Sequence, residues 1–198
     1  MAKIGDRLLD MGFGRPRGLL GRIGGRLMAR GNAETERHLV RLAELGPDDD
    51  VLVVGPGPGI GLEAAAATAG HVVGVDPSDA MVAACRRRCA ASIDGGVVEV
   101  RLGDAAHTGQ GDASVDVVLS VNNVMLWPDR KAGFTELHRV LRPGGRMLVS
   151  VHEKWLPGGL SGLAAAVAEA GFGDVETWTW EPPGRGATTA AQLKARRE

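Results

Sequence analysis

From residue 51 onward, short apolar runs alternate with amphipathic stretches. VLVV (51–54), HVVGVD (71–76), VVEVRL (97–102), VDVVLSV (115–121) and RMLVSV (146–151) are valine-rich and short, so they predict strands. Between them, GLEAAAATAG (61–70), SDAMVAACRRRCAAS (78–92), RKAGFTELHRVL (130–141) and LSGLAAAVAEAG (160–171) carry helical periodicity. Ser78 opens the second of these helices and RPGG ends the third. VETWTW (175–180) and TTAAQLKARR (188–197) form a final strand pair. Strands alternating with helices predict an α/β, doubly wound, Rossmann-like sheet, mostly parallel, with helices on both faces. Trp178 and Trp180 alternate onto one strand face, which reads as core.

The start of the chain differs. Residues 1–46 read as an N-terminal helical arm or lid, and 47–198 as one compact domain. Residues 1–31 hold seven Lys or Arg against two acids, Asp6 and Asp10, and many glycines. Leu20, Ile23, Leu27 and Met28 share a helical face, beside an arginine stripe at 22, 26 and 30. Glycines 21, 24 and 25 weaken that helix, so it needs something to pack on. NAETERHLVRLAEL (32–45) is a firmer helix, with Asn32 as its cap. The arm has three readings: a cover for the pocket whose arginines meet an anionic group, a helix capping the sheet, or a basic segment on acidic lipid.

Length and charge narrow the class. The chain has 198 residues, enough for one domain with a sizeable core. A net charge of -1 gives no global pull toward nucleic acid or a membrane surface. No apolar run is as long as a membrane span, and the N-terminus lacks a secretory-type apolar stretch, so the expectation is a cytoplasmic protein. Cys85 and Cys89 lie one helical turn apart. They read as small buried side chains in preference to a redox pair or half a zinc site. Zinc needs further ligands, and none are evident, so no metal is expected.

The loop VLVVGPGPGIG (51–61) carries the first chemistry. It follows a strand, where ligands of open parallel sheets bind. The dinucleotide pattern G-x-G-x-x-G fails in both registers, because Ile60 or Leu62 stands at the third glycine. Pro56 and Pro58 have no N–H to offer a phosphate. The loop therefore suits a nucleoside without phosphate better than a nicotinamide dinucleotide. Asp76, ending the second strand, can accept from both hydroxyls of a ribose. Asp104, just past the third strand, can accept from an adenine amino group while the Ala105 N–H donates to a ring nitrogen.

VLVVGPGPG, VVGVDPSDAMVAACRRR, RLGDA, DASVDVVLSVNNVMLWPD and ELHRVLRPGGRMLVSV, in this order and spacing, resemble the class I S-adenosylmethionine-dependent methyltransferases of the type 11 branch. The resemblance covers about residues 32 to 198. It implies a seven-stranded sheet with an antiparallel last strand, S-adenosyl-L-methionine as cofactor, and methyl transfer by in-line displacement. It implies that Gly55, Pro56 and Gly57 line the methionine part, that Asp76 holds the ribose, and that Pro77 and Met81 pack near the adenine. Asp104 and Ala105 read the adenine edge, and Ser120 and Asn122 border the transferred methyl.

One position departs from the family. An acid usually stands two residues before the first loop glycine, where it helps orient the cofactor's amine; here that position is Val53. Another acceptor holds the amine, or binding is weaker, or catalysis is lost and a fold remains. The first reading is favoured because the other motifs are intact. The acceptor pocket should lie above strands four and five, at Asn123, Trp127, His152 and Trp155. Trp127 is expected to pack under its loop first and to touch substrate second. His152 is the candidate base or acceptor ligand, against a plain histidine in a connection. His107 is a weaker candidate, and His38 and His138 read as surface or packing residues. The expected partner is a small or medium organic acceptor, apolar with an anionic group; a homodimer is compatible with the sequence. The competing functions are a cofactor-binding scaffold without turnover and a nicotinamide oxidoreductase.

Overall fold

The computed structural model describes residues 32–183 and 188–198. The basic, glycine-rich part of the arm, with its apolar face and arginine stripe, lies outside the described residues. Helix α1 spans residues 32–43 and includes Asn32, which was expected as its cap. Then follow β1 (Asp50–Val54), α2 (Ile60–Ala65), β2 (His71–Asp76), α3 (Asp79–Arg88), α4 (Ala90–Asp94), β3 (Val98–Leu102), β4 (Val115–Val121), α5 (Arg130–Val140), β5 (Leu141–His152), α6 (Gly159–Glu169), β6 (Phe172–Trp180) and β7 (Ala190–Arg197).

These strands make one seven-stranded sheet in the order β3-β2-β1-β4-β5-β7-β6. β1 to β5 pair in parallel, and β7 is inserted antiparallel between β5 and β6. Chain order reverses between β1 and β4, so the crevice of a doubly wound sheet opens there. β1, β2 and β4 are almost wholly buried, as valine runs covered on both faces should be. One core joins the sheet to α5 and α6 through Phe134, Leu137, Leu163 and Val167. The other joins it to α1, α2 and α3 through Leu39, Ala43, Leu62, Val82 and Cys85.

Two ties fix α1 to the sheet. Arg146 on β5 donates to the carbonyls of Ala43 (2.8 Å) and Glu44 (3.1 Å) and to Asp49 (2.8 Å), which satisfies the carboxyl end of α1. His38 stacks on Trp180 at 3.8 Å between ring centroids. Burial of Leu39 alone contributes about 2 kcal/mol.

Three local expectations are corrected. The helix expected over 78–92 is two helices, because Cys89 leaves helical geometry (φ -93, ψ 18). Helix α5 stops at Val140, just before RPGG as expected, but the motif is not a loop leading into the next strand. β5 begins at Leu141 opposite Val115 and resumes with Arg146 opposite Val117, so the motif forms a bulge within the strand. Trp178 and Trp180 are only half-buried, because β6 is an edge strand; Trp178 Nε1 donates to Gln192 Oε1 (2.7 Å).

Candidate functional site

The carboxyl ends of β1, β2, β3, β4 and β5 gather almost every residue singled out from the sequence. The loop after β1 is positioned first. Gly55 takes φ +65, and its N–H donates to the Val75 carbonyl (2.8 Å). A Cβ at Gly55 would stand 2.3 Å from Asn123 Nδ2, so only glycine fits. Pro56 is buried. Gly57 takes φ +53, and no atom lies within 4 Å of where its Cβ would point. The loop therefore presents a bare, open backbone at the switch point.

Asp76 ends β2 and is 6% exposed. Its Oδ1 accepts from the Ser78 N–H (2.9 Å), and its Oδ2 accepts weakly from Gly57 (3.3 Å). Burial raises its pKa to about 6, against those two backbone bonds. Such a carboxylate is short of donors, which suits a pair of ribose hydroxyls. Pro77 is exposed and Met81 half-buried beside it. Asp104 spends Oδ1 on the N–H groups of Ala106 and His107 (both 2.9 Å), which shapes its turn. No described residue donates to its Oδ2. Ala105 is buried, and Leu102, paired with Asp76 across β2 and β3, is 58% exposed. An exposed leucine beside Asp76 and Asp104 is an apolar surface fit for a base. Sequence patterning missed it, because Leu102 reads simply as the last strand residue.

Past β4 the expectations divide. Ser120 is fully buried, and its Oγ donates to Asn123 Oδ1 (2.9 Å). Asn123 Oδ1 also accepts from Trp127 Nε1 (2.7 Å), and its Nδ2 donates to the Val54 carbonyl (2.6 Å). Asn123 is therefore a tie between β1, β4 and Trp127, with little hydrogen-bonding capacity left for a substrate. Trp127 packs edge-on against Phe134, with centroids 5.2 Å apart, under its loop as expected.

Asn122 is different. It holds φ +54, and its Oδ1 accepts from the His152 N–H (2.8 Å). Its Nδ2 is buried with no partner among the described residues, and so is His152 Nδ1. Two orphaned polar atoms thus sit on residues that hydrogen-bond each other at the ends of β4 and β5. Burial and the nearby Lys154 charge lower the His152 pKa, against a backbone hydrogen bond between its ring and Thr188, so the ring is neutral at pH 7. Exposed Leu126 and Trp155 supply apolar surface beyond these ends, and Lys154 lies 5.3 Å from the Trp155 ring centre.

Glu36 on α1 was not among the residues singled out. It is 8% exposed, and its Oε2 accepts from the Gly61 N–H at 2.6 Å. It lines a cavity of about 20 Å³ together with Val53, Gly55, Pro56 and Gly61. Spacing carried a signal, since 36, 39, 40 and 43 mark one helical stripe and place an acid on an apolar face.

His107 is 84% exposed beside Asp104. His38 and His138 pack on Trp180 and Phe172. Cys85 and Cys89 are free and buried, and burial raises both thiols. Among the described residues no group of three His, Cys, Asp or Glu could hold a metal, and no helix is long and apolar enough to cross a membrane.

Comparison with known proteins bears on the domain and its fold. Residues 52–149 match the model of the methyltransferase domain family. The chain is 40% identical over 111 residues to an arsenite methyltransferase of Halobacterium salinarum, a match covering 54% of this chain and 28% of the relative. It is 40% identical over 114 residues to a nocamycin O-methyltransferase of Saccharothrix syringae, covering 56% of this chain and 40% of the relative. The matches thus span less than half the length of these relatives. In fold it resembles the complex between the Haloferax volcanii Trm112 methyltransferase activator and a methyltransferase, with TM-score 0.75, 20% identity and coverage of 88% of this chain and 94% of the other. With its glycine loop, its buried Asp76 and its inserted antiparallel strand, the chain matches over residues 52–149 the methyltransferase domain family, the type 11 branch of the class I S-adenosylmethionine-dependent methyltransferases.

Proposed function

We propose that this protein transfers a methyl group from S-adenosyl-L-methionine to a small or medium organic acceptor with an apolar body and an anionic or polar group. The observation that carries the reading is the pair of orphaned atoms, Asn122 Nδ2 and His152 Nδ1, at the carboxyl ends of β4 and β5, on the same edge of the sheet as the glycine loop. Buried polar atoms without partners are costly, and a ligand group that satisfies them is bound and oriented by them.

The residues present fit the cofactor. The open Gly57 backbone leaves room beside the loop, and Asp76 accepts the ribose hydroxyls. Asp104 Oδ2 and the Ala105 N–H read the adenine edge, and Leu102, Pro77 and Met81 cover its faces. Asn123 and Ser120 act one step back by holding the Gly55 loop in shape. When bound, the cofactor supplies a methyl carbon on a positively charged sulfur. The protein's larger contribution is positioning, which can be worth several powers of ten in rate. His152, neutral at pH 7, takes the proton from an acceptor that must lose one; an amine that binds in its neutral form needs no such base. Leu126 and Trp155 contact the apolar body, and Lys154 favours an anionic group. Arsenite is a poor fit, since thiolates would be needed to hold it and both cysteines lie protonated in the core on the α1–α3 side.

The test is S-adenosylhomocysteine production from S-adenosylmethionine with a panel of phenols, apolar carboxylic acids and amines. Turnover with at least one of them, reduced in H152A for the hydroxyl acceptors, supports the reading. A cofactor that binds but is never consumed would make the protein a scaffold.

A further inference from the structure

We infer that Glu36, reaching in from α1, is the acidic partner of the ammonium group on the cofactor's methionine end, at the wall that Val53 leaves apolar. The inference rests on the reading above, that S-adenosylmethionine lies along the Gly55 loop, and deepens it.

Four observations converge. First, the cavity beside Val53 and Gly55 measures about 20 Å³, room for one water or one ammonium group. Among the described residues, Glu36 is its only ionisable lining residue. Second, the carboxylate is anchored. Oε2 accepts from Gly61 at 2.6 Å, and a Cβ on Gly61 would come within 3.1 Å of that oxygen, so glycine lets the two elements close together. Third, no described residue donates to Oε1. A buried carboxylate with one hydrogen bond is under-satisfied, and a cation is the partner that corrects this best. Fourth, the helix that carries Glu36 is clamped by Arg146 at its end and by His38 on Trp180, so the acid is held in place by structure remote from the loop.

Burial raises the Glu36 pKa to about 7, partly offset by the Gly61 bond and the charges of Arg88 and Arg37. The Cys85 thiol also faces it and stays protonated. A bound ammonium would pull the carboxyl pKa down, so binding should release a proton, and affinity should fall as pH falls through about 7.

The experiment compares two ligands on purified wild-type protein and variants by calorimetry. S-adenosylhomocysteine carries the ammonium; 5′-methylthioadenosine has the same nucleoside without it. E36Q keeps an acceptor for the Gly61 N–H and removes only the charge. The inference expects E36Q to weaken S-adenosylhomocysteine by about tenfold or more, to leave methylthioadenosine unchanged, and to abolish proton release near neutral pH. In the E36Q background, V53D should restore part of the lost affinity by returning a carboxylate from β1. Equal loss for both ligands, or no loss for either, would overturn the inference and make Glu36 a structural cap. If wild-type protein bound neither nucleoside, the cofactor reading itself would fail.

Discussion

The carboxyl edge of the sheet has two halves built on opposite principles. At the carboxyl ends of β1, β2 and β3 the Gly57 backbone is open, and the carboxylates of Asp76 and Asp104 each use one oxygen firmly on nearby N–H groups. Along β4 and β5 the side chains are tied to one another, and the polar atoms left over are buried without partners. In the proposed reading the first half receives the nucleoside, and the second is a frame whose hydrogen bonds the acceptor completes. A shared cofactor and a particular acceptor would make these different demands.

Several substitutions can break or sharpen that contrast. Asp76→Ala should have the largest effect, weakening S-adenosylhomocysteine by about 100-fold through the loss of two charge-assisted hydrogen bonds. Calorimetry would check it, and unchanged affinity would remove the ribose from this strand end. Next is Gly55→Ala, where φ +65 and the approach to Asn123 leave no room for a Cβ. Thermal unfolding should show a loss of about 2 kcal/mol or more, with cofactor affinity falling too. Asn122→Ala removes the acceptor for the His152 N–H on the other half. It should lower kcat/KM by about tenfold and leave S-adenosylhomocysteine affinity intact. An equal loss of cofactor affinity would merge the two halves into one.

Stability against pH offers a smaller contrast. Asp76 and Glu36 have raised folded pKa values, about 6 and about 7. Their contribution is complete at low pH and is lost as pH rises through those values. His38, His138 and His152 are lowered, and theirs is lost as pH falls below the ordinary histidine range. Between about pH 6.5 and 8 the unfolded histidines still lose protons and oppose the carboxylates, so the Glu36 contribution is read against E36Q. As pH rises from about 6 to 8, the ligand-free Tm of the wild type should lose ground relative to that of E36Q, and parallel profiles would remove Glu36 from the balance.

The half proposed to bind the nucleoside was legible as a candidate because its chemistry sits in local order: a strand, a glycine loop, an acid at the next strand end. The half facing the acceptor was legible only as a location. Asn122 and Asn123 are neighbours in sequence, yet one keeps a free amide and the other spends its own on Val54 and Trp127. Backbone geometry divides them, with Asn122 at φ +54, and no pattern of apolar and polar residues reports that angle. Val53 was legible as a departure, but Glu36 lies in an earlier helix, and pairing the two takes the packing of α1 onto the sheet. The bulge at RPGG escaped for a similar reason: it is a feature of pairing with β4 and not of the segment alone.

The most direct test of the central claim is parallel calorimetric titration of the purified protein with S-adenosylmethionine, S-adenosylhomocysteine and NAD. The account predicts micromolar binding of both sulfur nucleosides and none of NAD. Binding of NAD, or of none of the three, would contradict it.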